Sequence, residues 1–356
     1  MHVIYYITSH GYGHGVRTAA ICNAFAPDVR ITFRTALPGQ FLKEEVLRDF
    51  DYKSAEFDCG CIQKDCLTTD MEKTLFRYQE LALENRQRLA DEAAWCHDRG
   101  ADVIASDITP FAFDVAAAAK IPSVAVTNFT WYDVYKKYAS AIPSIAPLLD
   151  TLRLQYAQAD LLLALEPSLP MTYFINRIET PPVGRTGRNR REEIMAKYGF
   201  APDTKIGLIY FGFFGTSDIN WQRLEQFKNW EFLGIFPLSP HPSNYRLIPK
   251  SDFPYQDLAA SVDLMISKIG YCAVSESMLH GTPLLYLPRD DFAESEELET
   301  GIAAWGGGYR ITFDEFREMG WGSVLNTVER RKRANIVPQN GAFICAREIE
   351  RMGRAQ

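Results

Sequence analysis

Short apolar runs alternate with segments of helical periodicity along the whole chain. Residues 2–8 (HVIYYIT) are rich in β-branched and aromatic side chains, which predicts a strand. Glycines follow this run, and the apolar residues Val16, Ala19, Ala20 and Ala24 then recur at helical spacing. The chain is therefore predicted to begin with a strand, a tight loop and a helix.

The alternation continues through the first half of the chain. Further strands are predicted at residues 29–35, 102–106, 123–127 and 160–165, and helices at 71–99, 111–119 and 145–158. Strands that alternate with helices form parallel sheets with crossover helices. Residues 1–184 are therefore predicted to form one α/β domain.

Residues 166–191 lose this periodicity and are rich in Pro and Gly, which predicts an interdomain connection. The alternation then resumes, with strands predicted at 205–211, 231–236, 245–248, 263–267 and 283–287, and helices at 272–280 and 341–354. The predicted fold is α/β, with two doubly wound Rossmann-like domains at 1–184 and 185–340 facing a central cleft. The last segment, 341–356, is predicted to be a helix that crosses back to the first domain.

Composition excludes several classes of protein. The chain has 356 residues, with 38 Lys and Arg against 45 Asp and Glu, and its net charge of −7 provides no positive field for nucleic acid. No apolar run approaches the ~18 residues of a membrane helix. The first residues lack a basic region and a cleavage site, so a cytoplasmic protein is expected. Seven cysteines, an odd number, indicate free thiols.

The loop after the first predicted strand carries two histidines among glycines, in the segment SHGYGHGVR. Gly11 and Gly13 allow a tight turn close to a ligand, and His10 and His14 flank that turn. A neutral imidazole, with an ordinary pKa of about 6.5, accepts a proton from a hydroxyl at neutral pH. The alternative is an ordinary strand-to-helix turn with surface histidines. The glycine spacing disfavours an NAD fingerprint.

Asp107 follows the predicted strand at 102–106 and should point toward the same cleft. There its carboxylate would hold and polarise a histidine. The alternative is that Asp107 caps the helix that follows Pro110.

The second domain contains two glycine-containing turns after predicted strands. The first holds Gly212, Gly215 and Thr216, whose backbone N–H groups suit a diphosphate. The second begins DLMISKIGYCAVSE, in which Lys268 and a helix N-terminus can neutralise phosphate and Glu276 can accept two ribose hydroxyls. Alternatively, Glu276 only complements the helix dipole.

These motifs resemble those of GT-B glycosyltransferases. SHGYGHGVR is similar to their first loop, and KIGYCAVSE followed by GTP is similar to the nucleotide-sugar motif of the peptidoglycan N-acetylglucosaminyltransferase family. DCGCIQKDCLTTD, SDITPFAFDVAAAAKIPSVAVTNFTW and RDDFAESEEL look like the glycosyltransferase-like domain of plant L-arabinokinases and its free-standing bacterial relatives. The resemblance covers most of residues 1–330.

The resemblance implies a role for particular residues. His14 matches the catalytic base of inverting GT-B enzymes, and Asp107 lies about where some of these enzymes keep the partner carboxylate. Glu276 matches the ribose-binding glutamate, and Glu294 falls in the stretch that contacts the donor sugar. The remaining residues predicted to bind the nucleotide sugar are Gly212, Gly215, Thr216, Ile248, Lys268, Gly270, Tyr271, Cys272, Ser275 and Asp291. Residues predicted on the acceptor side or in the first loop are His10, Gly11, Gly13, Arg17, Gln63, Asp65 and Asn128.

The sequence departs from the peptidoglycan enzymes at the donor site. Ala273 replaces their small hydroxyl residue, and their donor-sugar glutamines are absent, so the resemblance does not identify the sugar. Cys59, Cys61 and Cys66 fit no common zinc spacing, and no metal is expected. Asp70 is a further candidate for contact with sugar or acceptor hydroxyls.

Two basic runs contrast with the acidic average: Arg185, Arg188, Arg190 and Arg191, and residues 330–333. Such runs are usually solvated faces. The alternative is a weak peripheral contact with a lipid-linked phosphate.

The sequence thus predicts a metal-independent inverting glycosyltransferase. It needs no cofactor and transfers a sugar from a nucleotide diphosphate, with UDP favoured, to an acceptor hydroxyl. The alternatives are a nucleotide-sugar epimerase of the same fold and a non-catalytic nucleotide-sugar-binding module.

Overall fold

Two parallel β-sheets organise the chain. The computed structural model describes residues 1–64, 68–211, 219–289, 292–330 and 334–355. They divide into two compact units, each built on one sheet. Among the described residues, unit 1 contains 1–64, 68–184, 292–294 and 340–355, and unit 2 contains 185–211, 219–289, 295–330 and 334–339. The predicted α/β class is confirmed.

The sheet of unit 1 has seven parallel strands in the order β3-β2-β1-β4-β5-β6-β7. They are β1 (His2–Ile7), β2 (Arg30–Thr35), β3 (Asp51–Ser54), β4 (Val103–Asp107), β5 (Ser123–Thr127), β6 (Leu161–Leu165) and β7 (Arg177–Thr180). All six residues of β1 and all five of β4, β5 and β6 are buried. A strand that is covered on both faces needs a continuous run of apolar residues, rather than an alternation of apolar and polar residues.

The helices of unit 1 are α1 (Tyr12–Asn23), α2 (Gly39–Glu45), α3 (Met71–Asp98), α4 (Phe111–Ala119), α5 (Trp131–Lys136), α6 (Ala146–Ala157) and, at the end of the chain, α13 (Gly341–Arg354). Helix α13 packs on α1 and on strands β4, β5 and β7. The buried residues of α13, among them Cys345 and Ile349, form the apolar face that makes this contact.

The sheet of unit 2 has six parallel strands in the order β10-β9-β8-β11-β12-β13. They are β8 (Lys205–Tyr210), β9 (Trp230–Gly234), β10 (Tyr245–Leu247), β11 (Leu264–Lys268), β12 (Leu284–Leu287) and β13 (Gly308–Arg310). The helices are α7 (Arg191–Tyr198), α8 (Tyr255–Ser261), α9 (Tyr271–His280), α10 (Ser295–Trp305), α11 (Phe313–Arg317) and α12 (Gly322–Arg330).

Strand order reverses once in each sheet, between β1 and β4 in unit 1 and between β8 and β11 in unit 2. Connections leave such neighbouring strands in opposite directions, and ligands of open α/β sheets bind at the carboxyl ends there. His14 lies in the segment after β1, Asp107 is the last residue of β4, and Glu276 lies in the segment after β11.

Three local predictions are corrected. Helix α1 begins at Tyr12, so Gly13 and His14 belong to the helix and not to the loop. The segment predicted to lack periodicity contains β7, which pairs with β6. Residues 292–294, which the sequence placed in the second domain, group with unit 1.

Candidate active site

His14 lies in the first turn of α1, directly beyond the carboxyl end of β1. Gly11 precedes the helix in an extended conformation, with no side-chain cap. Strands β1 and β4 are paired neighbours, and Ile7 is in register with Asp107. His14 therefore faces the end of β4, and the residue is 8% exposed.

His14 and Asp107 form a buried hydrogen-bonded pair. His14 Nδ1 lies 2.8 Å from Asp107 Oδ1. An ionised carboxylate only accepts hydrogen bonds, so the proton of the neutral ring is on Nδ1. The Nε2 atom then carries the lone pair, which is the arrangement that a general base needs.

Arg17 holds the carboxylate of Asp107 from the other side. Its Nε donates to Oδ2 at 2.7 Å and its Nη2 to Oδ1 at 2.6 Å, while Thr18 Oγ1 donates to Oδ2 at 3.2 Å. Burial raises the pKa of Asp107, but the charges and hydrogen bonds of Arg17 and His14 outweigh burial and lower that pKa to about 2. Asp107 is thus ionised at neutral pH. It does not cap α4, which starts after Pro110 without a side-chain cap.

Arg17, Asn128 and Glu294 continue this network, although the sequence assigned them to substrate contacts. Arg17 Nη1 donates to Asn128 Oδ1 at 2.6 Å, and Asn128 Nδ2 donates to Glu294 Oε2 at 2.7 Å. Arg17 is 2% exposed, and in this structure its guanidinium bonds to Asp107 and Asn128. Asn128 is likewise buried between two protein groups.

His10 lies beside His14 and has the opposite tautomer. The backbone N–H of Cys61 donates to His10 Nδ1 at 3.0 Å, so the proton of the neutral ring is on Nε2. The His10 ring stacks on Phe292 at 6.1 Å and meets the edge of Trp131 at 5.2 Å. Of the two neighbouring histidines, only His14 has its Nε2 lone pair available.

Gly60 leaves room for His10. Its φ is +58°, and a Cβ there would lie 2.4 Å from the His10 ring. We expect Gly60→Ala to lower the free energy of unfolding by at least about 1 kcal/mol through the left-handed conformation and to displace the His10 ring. Urea unfolding and the NMR signals of the His10 ring would measure the two effects.

Gly100→Ala is the matched control for Gly60→Ala. Gly100 has φ +63°, but its Cβ would meet nothing within 4 Å. The Gly100→Ala variant should therefore lose stability through backbone strain, while the NMR signals of the His10 ring stay unchanged. Equal signals for His10 in both variants would contradict the packing role of Gly60.

Asp58 is a buried carboxylate next to this site that the sequence analysis did not single out, although it begins the DCGC motif. Thr8 Oγ1 donates to it at 2.5 Å and Thr109 Oγ1 at 2.6 Å. Burial raises the pKa of Asp58. Because Thr8 Oγ1 also accepts from the His10 backbone N–H at 3.3 Å, Asp58 anchors the first loop.

In unit 2 the predicted donor residues lie around the start of α9. Lys268 is the last residue of β11, Gly270 precedes α9 without a side-chain cap, and Tyr271 and Cys272 are the first residues of the helix. The partial positive charge at a helix N-terminus favours an anion. Ser275 Oγ donates to the Cys272 carbonyl at 3.3 Å.

Glu276 is 1% exposed and forms an ion pair that the sequence did not predict. Arg185 Nε donates to Glu276 Oε1 at 2.7 Å, and Arg185 Nη2 to Oε2 at 3.3 Å. The guanidinium also lies 4.9 Å from the centre of the Tyr255 ring. Both carboxylate oxygens that would accept ribose hydroxyls are thus bonded to Arg185 in this structure.

Three of the four arginines of the first basic run pair with acidic residues of unit 2. Besides Arg185, Arg190 pairs with Glu193 and Asp257, and Arg191 pairs with Asp263 at 2.7 Å. Arg188 is exposed. Residues 331–333 of the second basic run lie outside the described residues.

Several other predicted residues have different environments or are not described. Asp70 caps α3 by accepting from the Lys73 N–H at 3.2 Å, which gives it a structural contact. Gln63 forms an isolated bridge with Thr69, and Ile248 is buried with its N–H bonded to the Gly234 carbonyl. Asp65, Gly212, Gly215, Thr216 and Asp291 lie outside the described residues, as does Cys66.

Neither a cluster of metal-binding side chains nor a helix that could span a membrane is present in the described ranges. No group of three or more His, Cys, Asp or Glu side chains there is arranged to hold a metal ion. None of the helices in those ranges combines the length and apolar character that a membrane span requires.

Comparisons with known sequences place this chain next to two kinds of protein. It is 30% identical over 298 residues to L-arabinokinase of Arabidopsis thaliana, which covers 82% of this chain and 28% of that protein. It is 32% identical over 111 residues to the UDP-N-acetylglucosamine–N-acetylmuramyl-(pentapeptide) pyrophosphoryl-undecaprenol N-acetylglucosamine transferase of Mycolicibacterium smegmatis, covering 28% of this chain and 29% of that protein. The chain therefore spans less than a third of the length of either relative. No family model matches it.

Solved structures of glycosyltransferases share the fold. A UDP-glucosyltransferase from Polygonum tinctorium aligns over 100% of this chain and 99% of its own, with a TM-score of 0.64 and 15% identity. The predicted GT-B fold is confirmed, as is the predicted resemblance to L-arabinokinase and the peptidoglycan transferases.

Proposed function

We propose that this chain is a metal-independent, inverting glycosyltransferase that uses a UDP-sugar and needs no cofactor. The observation that carries the proposal is the His14–Asp107 pair, in which Nδ1 is held by the carboxylate and Nε2 can accept a proton. The names of the relatives and structural neighbours support transfer of a sugar from a UDP donor. Unit 1 would bind the acceptor, and unit 2 the nucleotide.

His14 would act as the general base. As the acceptor oxygen attacks the anomeric carbon, its proton passes to His14 Nε2, and the bond between that carbon and the diphosphate oxygen breaks. UDP leaves with the bonding electrons, and the sugar is inverted because attack comes from the opposite face. Asp107 stabilises the imidazolium that forms.

The donor would be held without a cation. Lys268 and the N-terminus of α9 carry positive charge that can balance the diphosphate, which makes a bound metal unnecessary. Glu276 would accept the two ribose hydroxyls, and binding would exchange its contacts with Arg185 for those hydroxyls.

Calorimetry of UDP with the full chain in EDTA tests this proposal. We expect UDP to bind without metal, and Glu276→Ala to weaken binding by about 1.5–3 kcal/mol, because the charge-assisted hydrogen bonds to ribose are lost. This is roughly a ten- to hundredfold rise in Kd. Glu192→Gln, a charge change at an exposed position of unit 2, is the control and should not alter the Kd.

The possible outcomes separate the rival functions. No heat with UDP or any other nucleoside diphosphate would overturn the donor proposal, and an unchanged Kd for Glu276→Ala would remove Glu276 from the ribose site. Slow release of an inverted sugar from a bound UDP-sugar supports the transferase. Interconversion of two UDP-sugars would instead identify an epimerase, and binding without any turnover a sensing module.

A further inference from the structure

The buried network around His14 contains more charge than a histidine–aspartate pair. Arg17 bonds to both oxygens of Asp107, and through Asn128 it connects to Glu294. His14, Arg17, Asp107, Asn128 and Glu294 are each less than 9% exposed. Their hydrogen bonds join residues that are up to 166 positions apart in the sequence.

The orientation of Asn128 is fixed by its two neighbours. Arg17 has only donors, so the amide oxygen of Asn128 must face it, and the amide nitrogen must then face Glu294. Neither contact survives rotation of the amide by 180°. Asn128 therefore connects the guanidinium to the Glu294 carboxylate in one defined arrangement.

Charge balance gives Glu294 a specific part in this network. The charge of Asp107 is already offset by Arg17, so proton uptake by His14 would leave an uncompensated positive charge in a buried site if only these three groups were present. With Glu294 the network has one net negative charge when His14 is neutral, and proton uptake brings it to zero. Because Arg17 already neutralises Asp107, the negative charge of Glu294 is the one that balances protonated His14.

We propose that Glu294 is a second acidic partner of His14, held in place by Arg17 and Asn128, which act as positioning residues. The proposal rests on the proposed function in treating His14 as the base. The residue proposed to raise the basicity of His14 then belongs to the segment 292–294, in which Phe292 also stacks on His10. None of Arg17, Asn128 and Glu294 is required to touch substrate.

Four charged or titratable groups face His14 directly, and the test must distinguish their effect on its protonation from that of Glu294. They are Asp107 from β4, Arg17 from its own helix, His10 from the first loop and Asp58 beyond β3. Glu294 acts through Asn128, so a change there leaves all four of these groups unchanged.

The experiment is an NMR titration of the His14 ring in the full chain without donor. We expect Glu294→Gln to move the midpoint of His14 protonation down by about one pH unit. Asn128→Ala, which keeps both charges but removes the bridge, should move it in the same direction. Glu296→Gln, at an exposed position two residues along, is the control and should titrate like the wild type.

Each result bears on the proposal. A midpoint within about 0.2 pH unit of wild type in Glu294→Gln would overturn it, and if that variant does not fold, the same result in Asn128→Ala would do so. Because the measurement needs neither UDP nor turnover, it is independent of the calorimetric test. A lower midpoint of His14 protonation in both variants would support the network even if UDP did not bind. The absence of UDP binding would then refute only the donor proposal.

Discussion

His14→Ala is expected to lower turnover by ~10²–10⁴-fold while UDP affinity stays within about twofold of wild type. The variant removes the group whose Nε2 lone pair would take the acceptor proton. The proposed nucleotide ligands Lys268 and Glu276 belong to unit 2 and are unchanged. The measurement is turnover at saturating UDP-sugar with any acceptor that reacts, together with calorimetry of UDP.

His97→Ala is the matched control, because His97 has a side chain 79% exposed at the end of α3. It should leave both quantities unchanged. Wild-type turnover in His14→Ala would remove this histidine from the mechanism. A loss confined to UDP affinity would reassign it to the donor phosphates.

The general fold was predictable because the apolar runs are continuous and regularly spaced. Strands buried on both faces need side chains such as those of β1 and β6, and only a parallel α/β arrangement alternates such runs with helices. Strand β7 was missed because it is a four-residue edge strand that includes Arg177 and Glu179. A short, partly charged edge strand has no distinctive sequence pattern.

The contact between His14 and Asp107 follows from topology. His14 lies in the first turn of the helix after β1, Asp107 is the last residue of β4, and these two strands are neighbours at the reversal of strand order. The sequence indicates only weakly that the side chain of Arg17 points into the core. His14, Arg17 and Ile21 recur at spacings of three and four, which places a charged side chain on the buried face of α1. A charge on that face requires a buried partner, and Asp107 provides it.

The position of Glu294 could not be read from the sequence. Its partner Asn128 is 166 residues away, and nothing in local periodicity shows that residues 292–294 group with unit 1. The same holds for Arg185 and Glu276, 91 positions apart. Both contacts are side-chain ion pairs or hydrogen bonds that only the packed chain brings together.

Asp107→Asn should lower turnover by ~10²–10³-fold by changing the tautomer of His14. An asparagine has one acceptor where the carboxylate has two, and Arg17 needs acceptors on both sides. With the amide oxygen toward Arg17 Nε, the amide nitrogen takes the position of Oδ1, where it displaces the bond from Arg17 Nη2 and faces His14 Nδ1, which must then accept. Arg17 Nη2, 3.1 Å from Nδ1, reinforces this. The ring proton moves to Nε2, and the base is lost. Ring ¹⁵N chemical shifts of His14 would detect the change directly.

The control for this substitution is Asp133→Asn, the same change in a half-buried carboxylate that belongs to the capping box of α5. It should leave the tautomer of His14 and turnover unchanged. A wild-type tautomer in Asp107→Asn with reduced turnover would show that Asp107 acts through charge alone.

Asp107→Asn should also destabilise the fold, with a pH dependence of defined sign. The folded-state pKa of Asp107 is about 2, below its ordinary value of about 3.9, so its ionised form stabilises the native state. That contribution, about 2–3 kcal/mol, is complete above about pH 4 and is lost as the pH falls through 2. Urea unfolding should therefore show a constant deficit for the variant from pH 5 to 7, a deficit that shrinks below about pH 4. A deficit that grew on acidification would mean that the carboxylate is not held ionised by Arg17 and His14.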